Sequence, residues 1–568
     1  MNMFKQQKNI PRVLVLGNIP EDYDSEKYIV LSLAAFAQSD IMPKIDYIES
    51  DPYEKDELLA QSSISAKYYN FLSQKIGKKL NSKYGLKLSD AFWSIFLNSW
   101  LISLVQICIE REKRLLDVID KYKEQEIAVV ISTKNNWDFI DSHDFLNNGV
   151  LDPHFNEWLN SRILEDQIPS KWNVTYKEID INTKRVQAKK NKTKVFVKKI
   201  INLTAPRCSE IYGFSLLDRL FFSLLLVFKA KIGSSAFKEP LKEDINWSFD
   251  FLNNVVDKLN FDYFSRLNNI NINKNNAGKL KLISADDLFY DVDKIIDSAQ
   301  RVEGGEYLIG TQHGGHTYGS ALITDFLNTV EINKCLQFFT WGWSKLGDTT
   351  TVLKQLPSPY LSKFRYRHKQ KNDKIILVGT KMNLFFRRFE SSPQSHQWFD
   401  YRERKRTLIS NIYAVEYLYK DLHYRPYFNE NGALKEISFL KNRFQDLRFL
   451  TGSLHKEMFN CRILILDHPG TTLNIAMAGN IPVLCCWDEN YFHFNAQASS
   501  KLNVLKNSNI YFSCIDELML HLKMVNTDIS GWWNSKDVQK ARKDWVNQFA
   551  KNSRFWRKAW FEHIRNIG

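Results

Sequence analysis

The sequence has no apolar run long enough to cross a bilayer. Two stretches come nearest. Phe92 to Ile109 carries Trp93, Ser94, Asn98, Ser99, Ser103 and Gln106, too polar to face lipid, and Leu220 to Phe228 is about half of the roughly 20 residues a span needs. Cysteine is sparse: the seven residues are odd in number, scattered and without a CxxC pair, which argues against a disulfide framework and fits a reducing cytoplasm. Met1 to Pro11 is polar and lacks the apolar core of a signal peptide, so a cytoplasmic location is expected. There is no repeat, no low-complexity tract and no long Pro/Gly/Ser linker. A Walker loop, GxGxxG, GxSxG and HExxH are missing, which counts against nucleotide hydrolysis, NAD chemistry, esterase and zincin activity. Helix-turn-helix spacing, zinc knuckles and RRM-type aromatic strands are also absent, so nucleic acid is not an expected partner.

What is present describes a globular chain. At 568 residues, 44% hydrophobic and 14% aromatic, it is long and apolar enough for two or more cores. A net charge of +14 favours an acidic partner: nucleic acid, which the missing motifs argue against, anionic lipid headgroups, or a phosphorylated substrate. Part of the excess is local: Lys184, Arg185, Lys189, Lys190, Lys192, Lys194, Lys198 and Lys199 precede the apolar stretch Phe214 to Lys231. This pairing reads either as a solvated hairpin before a core helix or as a peripheral contact with the inner leaflet of a membrane.

The order of elements predicts an α/β fold. Arg12 to Leu16 opens it as a strand, helical patterning dominates Lys55 to Lys123, and Ile127 to Ser132 is a second strand. Glu178 to Val197 reads as a hairpin insert. Lys279 to Ser284, Phe289 to Val302 and Glu306 to Gln312 form a β-α-β unit, which implies parallel strands with functional loops at their C-terminal ends. After the basic run Arg365 to Lys374 a second series of strands begins: Ile375 to Val378, His423 to Tyr427, Ile463 to Leu466, Pro482 to Trp487 and Ile510 to Phe512. The expected division is an α/β domain with helical insertions over 1–365, a Rossmann-like domain over 374–530, and a helical tail over 531–568.

The most informative stretch is Arg462 to Asp488, read as strand, turn, helix, strand. Pro469 and Gly470 force the turn, and Thr471 and Thr472 open the helix with hydroxyls and amides, while Gly479 suits the helix stop. Such a turn is either a plain N-cap or an anion site. Other cations fall on the same sheet edge: Lys381 and the consecutive Arg387 and Arg388 after one strand, of which at most one need face a cleft, and Arg425 within another. Across the cleft, strand ends carry Glu21, Asp22 and Asp24, and the loop Gln312, His313, Gly314, Gly315, His316. Paired glycines allow close backbone approach to a ligand, and a loop histidine serves as a base near neutral pH. His313 and His316 lack two further ligands nearby, so no metal is expected.

These residues resemble a known type. The turn Asp467, His468, Pro469, Gly470, Thr471, Thr472, with Gly479, Asn480, Ile481, Pro482 and Val483 after its helix, resembles the donor element of GT-B glycosyltransferases. The whole chain resembles a transferase family of bacterial surface-carbohydrate gene clusters, on Phe92-Trp93, Trp100-Leu101, Gln106, Arg111, Gly310 to Gly315, Thr340 to Trp343, His468-Pro469, Trp487-Asp488, Trp532-Trp533 and Val538-Gln539. The resemblance implies a GT-B-like fold, two Rossmann-like domains facing a cleft, and a nucleotide-sugar as co-substrate with no other cofactor. The His-Pro turn is also similar to that of bacterial sialyltransferases and Kdo-type transferases. Carried over, His468 contacts donor phosphate with Thr471 and Thr472, and Asn474 stands where many GT-B enzymes place a ribose-binding Glu. The implied activity is metal-independent glycosyl transfer to a glycan or lipid-linked acceptor, with His313 as first and Asp22 as second choice of base. A polyol-phosphate transferase and a non-catalytic, membrane-associated assembly protein remain alternatives.

Overall fold

The computed structural model describes residues 11–41, 43–49, 53–178, 203–232, 250–347, 349–394, 397–427 and 433–567. The hairpin expected beyond Glu178 and the lysine-rich run within it lie outside these residues. Every strand pairing is parallel. A first sheet contains β1 (Arg12–Val15), β2 (Tyr28–Val30), β3 (Ile127–Ser132) and β5 (Asn173–Lys177) in the order β2-β1-β3-β5; β4 (Trp137–Phe139) and β6 (Leu259–Phe261) form a two-stranded sheet beside it. A second sheet orders β7 (Leu280–Ser284), β8 (Tyr307–Thr311), β9 (Gln337–Thr340) and β10 (Val352–Gln355) as β10-β9-β8-β7. The third has six strands, β11 (Ile375–Val378), β12 (Leu422–Arg425), β13 (Arg448–Phe449), β14 (Ile463–Leu466), β15 (Val483–Cys486) and β16 (Tyr511–Phe512), in the order β13-β12-β11-β14-β15-β16.

The stretch before residue 365 thus carries two four-stranded sheets. The strands that patterning did not reveal are the short and edge ones. β5 and β10 are mostly exposed and polar, with no apolar run to betray them, whereas β11, β14 and β15 are buried at all four positions, as central parallel strands covered on both faces must be.

Two core helices, Asp90–Phe96 and Asn98–Tyr122, meet at a bend of 73° and sit inside the protein, with Phe92, Phe96, Leu101 and Val105 wholly buried. Two of their buried amides are satisfied there: Asn98 Nδ2 donates to the carbonyls of Leu288 and Val330, and Gln106 donates to Ser65 Oγ while accepting from the Phe389 amide. No single described helix is long and apolar enough to cross a membrane.

The last helices tie the halves together. Lys536–Phe549 packs on Thr471–Gly479, where the Arg542 guanidinium donates to the Met477 carbonyl, and Trp556–Arg565 returns to the second sheet, where Trp560 Nε1 donates to the Pro357 carbonyl. The basic connection before β11 is not free either: the amides of Tyr366 and His368 donate to Ala478 and Gly479.

Candidate active site

β14 delivers the chain to a turn, and Gly470 becomes the N-cap of the helix Thr471–Gly479. A glycine cap supplies no side-chain acceptor; the Leu473 amide turns back to the Gly470 carbonyl, and the amides of Thr471 and Thr472 open the helix toward the cleft. Thr471 and Thr472 are the first two helical residues. The helix stop differs from expectation: Gly479 is still helical, and Asn480 takes the left-handed conformation at φ 59°, its Oδ1 accepting from Trp533 Nε1 and Gln539 Nε2. Glycine at 479 answers a close approach instead, since a Cβ there would lie 2.7 Å from the Phe459 ring. Before the helix, His468 Nδ1 bonds Asp467 Oδ1 at 2.8 Å. Asp467 is buried and fixes the tautomer, so Nε2 is the nitrogen left for a ligand.

Facing this turn is the loop after β8. Gln312 is buried and structural, donating to the Gly314 carbonyl and accepting from the Trp341 amide and Trp343 Nε1, each at 2.8 Å. His313 belongs to a chain of groups. Its Nδ1 lies 2.8 Å from the Tyr318 hydroxyl, which donates to the buried Glu331 at 2.5 Å. Because the phenol spends its one proton on Glu331, Nδ1–H of His313 must be the donor, and Nε2 keeps a lone pair. Burial pushes the Glu331 carboxyl up, opposed by His313 and by the Tyr318 bond. His316 is different: its ring bonds Ser320 Oγ at 3.0 Å and the Ser391 carbonyl at 3.1 Å, and burial pushes its pKa down to about 4. It clasps the two halves, as do the Ala321–Phe494 bridge and the Leu322 amide donating to the His493 carbonyl.

Gly315 also has a role other than the expected one of ligand approach. A Cβ on it would lie 2.4 Å from the Thr471 nitrogen and 2.6 Å from the Gly470 carbonyl carbon. The bare glycine is what lets the two facing loops touch backbone to backbone.

Between them lies a cleft of about 560 Å³, lined by His313 to Tyr318, Lys381, Arg387, Arg388, Tyr290, Tyr427 and His468 to Thr471, among others. Both consecutive arginines line it, where one was expected, but they are not equivalent. Arg388 is paired with Glu390 at 2.7 Å and lies over the Phe326 ring, while Arg387 and Lys381 have no ion-pair partner among the described residues. Burial and the Arg387 charge pull the Lys381 ammonium down to about 8, and burial and Arg388 lower Arg387 in turn. An excess of unpaired positive charge beside helix-start amides favours an anion electrostatically.

Several expected site residues stand outside the lining. Asp22 is exposed, bonded to Lys27 Nζ at 3.0 Å and to the Tyr28 hydroxyl, and these bonds, Lys27 first, hold its carboxyl below the usual range and weaken it as a base. Arg425 spends its guanidinium on the Leu450 and Gly452 carbonyls, both at 2.8 Å. Asn474 is buried, with Oδ1 accepting from Trp545 Nε1 at 3.0 Å. Thr472 is one position past the lining. Sequence reading missed Tyr318, Glu331 and the cleft tyrosines Tyr290 and Tyr427. Only proximity of Tyr318 to His313 in the chain could have pointed to any of them.

Parallel sheets whose strand-end loops face one another across a positively charged cleft define an α/β protein. The chain belongs to the LIC12162 family of transferases, whose model matches residues 12–564. It is a transferase. Among solved structures it is similar to the α,α-trehalose-6-phosphate synthase of Burkholderia multivorans, at 10% identity over 51% of this chain and 72% of that one, with a TM-score of 0.30. Others are the trehalose-6-phosphate synthase OtsA (9% identity, 48% and 70% covered, TM-score 0.28) and MurG of Acinetobacter baumannii (10% identity, 81% and 95% covered, TM-score 0.29). A search of curated proteins returned no match.

Proposed function

We propose that the protein is a glycosyltransferase that uses a nucleotide-activated sugar to build a bacterial surface polysaccharide. The observation that carries this reading is the pair Lys381 and Arg387, without carboxylate partners among the described residues, converging with His468 on the uncapped start of the helix Thr471–Gly479. The donor phosphate sits there. Across the cleft, His313 Nε2 takes the proton of an acceptor hydroxyl as that oxygen bonds to the anomeric carbon. The anomeric carbon–oxygen bond breaks with its electron pair going to the phosphate, whose growing charge meets His468, the helix amides and the two cations. Those groups supply the charge neutralisation, and no metal is invoked. Tyr318 and Glu331 hold His313 in the required tautomer.

The likeness of the His-Pro turn to sialyl- and Kdo-type transferases favours a CMP-activated nonulosonic or Kdo-type donor, with a glycan or lipid-linked acceptor of lipopolysaccharide, capsule or O-antigen type. A polyol-phosphate transferase would use the same cleft but release a different product. The test is nucleotide release from CMP-, UDP-, GDP- and CDP-activated donors in the presence of bacterial glycan acceptors. One donor class is expected to turn over, and His468→Ala to abolish turnover with the melting temperature preserved. Undiminished turnover in that variant overturns the site.

A further inference from the structure

Among the described residues, the helix Leu216–Phe228 exposes a row of large apolar side chains. It begins with a complete capping box between Ser215 and Asp218, so its start and rotation are set locally. One face, with Phe222, Ser223 and Leu226, is buried against Cys208, Leu282 and Trp556. The opposite stripe, at the helical spacing of Leu217, Phe221, Leu224 and Phe228, is exposed at 77%, 49%, 54% and 83%. Within this stripe the Phe221 ring lies 5.9 Å from that of Phe561 on the neighbouring helix. Four large side chains in one exposed row are a contact surface rather than scattered surface hydrophobes.

Charge identifies the occupant. The helix Trp556–Arg565 packs alongside: the Arg557 guanidinium bonds Asp218 at 2.6 Å, and Lys229 Nζ donates to the Arg565 carbonyl at 2.9 Å. The two helices and their ends carry Lys229, Lys231, Arg554, Arg557, Lys558 and Arg565; of their carboxylates Glu562 is exposed, while Asp218 is buried and paired with Arg557. A two-fold contact with a second copy would set this excess of positive charge against itself. We infer that the stripe is a docking surface for a lipid bilayer with anionic headgroups, the apolar side chains entering the acyl boundary and the surrounding cations meeting phosphates.

The surface also has a connection to the cleft. Tyr212, four residues before the helix, stacks on His313 with ring centroids 6.1 Å apart and an interplanar angle of 28°. On the transfer reading proposed above, a bilayer held at this helix brings a lipid-borne acceptor hydroxyl toward the base. Docking itself does not depend on that chemistry.

The test is sedimentation of the full chain with vesicles of phosphatidylcholine alone or containing phosphatidylglycerol. The wild-type protein should pellet with the anionic vesicles, less so at high salt. Leu217→Ser/Phe221→Ser/Phe228→Ser should lower partitioning by at least ~10-fold, with an unchanged melting temperature and an unchanged nucleotide-induced shift of it. That last readout separates this surface from the cleft. The proposal is overturned by failure to pellet with either vesicle, by pelleting that the triple variant leaves intact, or by a concentration-dependent dimer that the triple variant dissolves.

Discussion

Gly315→Ala is a one-methyl perturbation whose effect follows from distances. The added carbon would sit 2.4 Å from the Thr471 nitrogen, 2.6 Å from the Gly470 carbonyl carbon and 2.8 Å from the Thr471 Cα. Ordinary contact needs about 3.5–4.0 Å, so the facing loops must part by about 1 Å. Neither side yields cheaply, because all three atoms are main chain. The Gly315 loop is anchored by Gln312 and by the His316–Ser391 bond, and Gly470 starts a helix whose far end is packed under Phe459. The displacement falls between His313 and the proposed phosphate site, and a misplacement of about 1 Å between reacting groups costs on the order of 10²-fold in rate. Steady-state donor turnover measures it, with nucleotide affinity and near-ultraviolet circular dichroism as controls for a retained fold. Gly315→Ala should lose most of its kcat while binding nucleotide within a few-fold of wild type. A variant that turns over at the wild-type rate would refute the claim that the two loops must touch.

Other outcomes follow from the same geometry. Tyr318→Phe removes the hydroxyl between His313 and Glu331, and should lower kcat by about 10–10²-fold and alter its acid limb without changing nucleotide affinity, read from pH–rate profiles and calorimetric titration. Lys381, with its pKa drawn down to about 8, loses its charge as pH rises through that value, so nucleotide binding should weaken above pH 8. Lys381→Arg should remove this alkaline loss, as titrations across pH 7 to 10 would show. His316 is held neutral down to about pH 4, whereas unfolded histidine titrates near 6.5. The unfolded state therefore binds more protons in that window, and stability should fall as pH drops from about 6.5 toward 4. His316→Gln should flatten that part of a melting-temperature profile.

How much of this was legible in sequence follows from what leaves a local trace. β11, β14 and β15 announce themselves as apolar runs because strands buried on both faces have no polar side to show. The convergence of the His313 loop, Lys381, Arg387 and the His468 turn was legible for a related reason: parallel strands place functional loops at one edge. Edge strands such as β5 and β10 left no pattern. What could not be read was tertiary partnership. Asn474 looks like a ligand-facing amide until Trp545, 71 positions later, occupies its oxygen. Arg425 looks like a cleft cation until the Leu450 and Gly452 carbonyls take its guanidinium. Gly315 reads as a ligand-approach glycine until the Thr471 backbone is set against it. Tyr318 and Glu331 matter only because a turn and a short helix return them to His313.

In the proposed function the cleft holds the phosphate of a nucleotide-activated donor against His468, the helix amides, Lys381 and Arg387. Calorimetric titration of CMP, CDP, UDP and GDP into the wild-type chain and into His468→Ala tests it most directly. The wild-type chain should bind at least one of these nucleotides saturably and, since a hydrogen bond to a charged group contributes about 1.5–3 kcal/mol, the variant should show a Kd raised by roughly 10–100-fold. Wild-type affinity in His468→Ala, or no binding of any of the four to the wild-type protein, would contradict it.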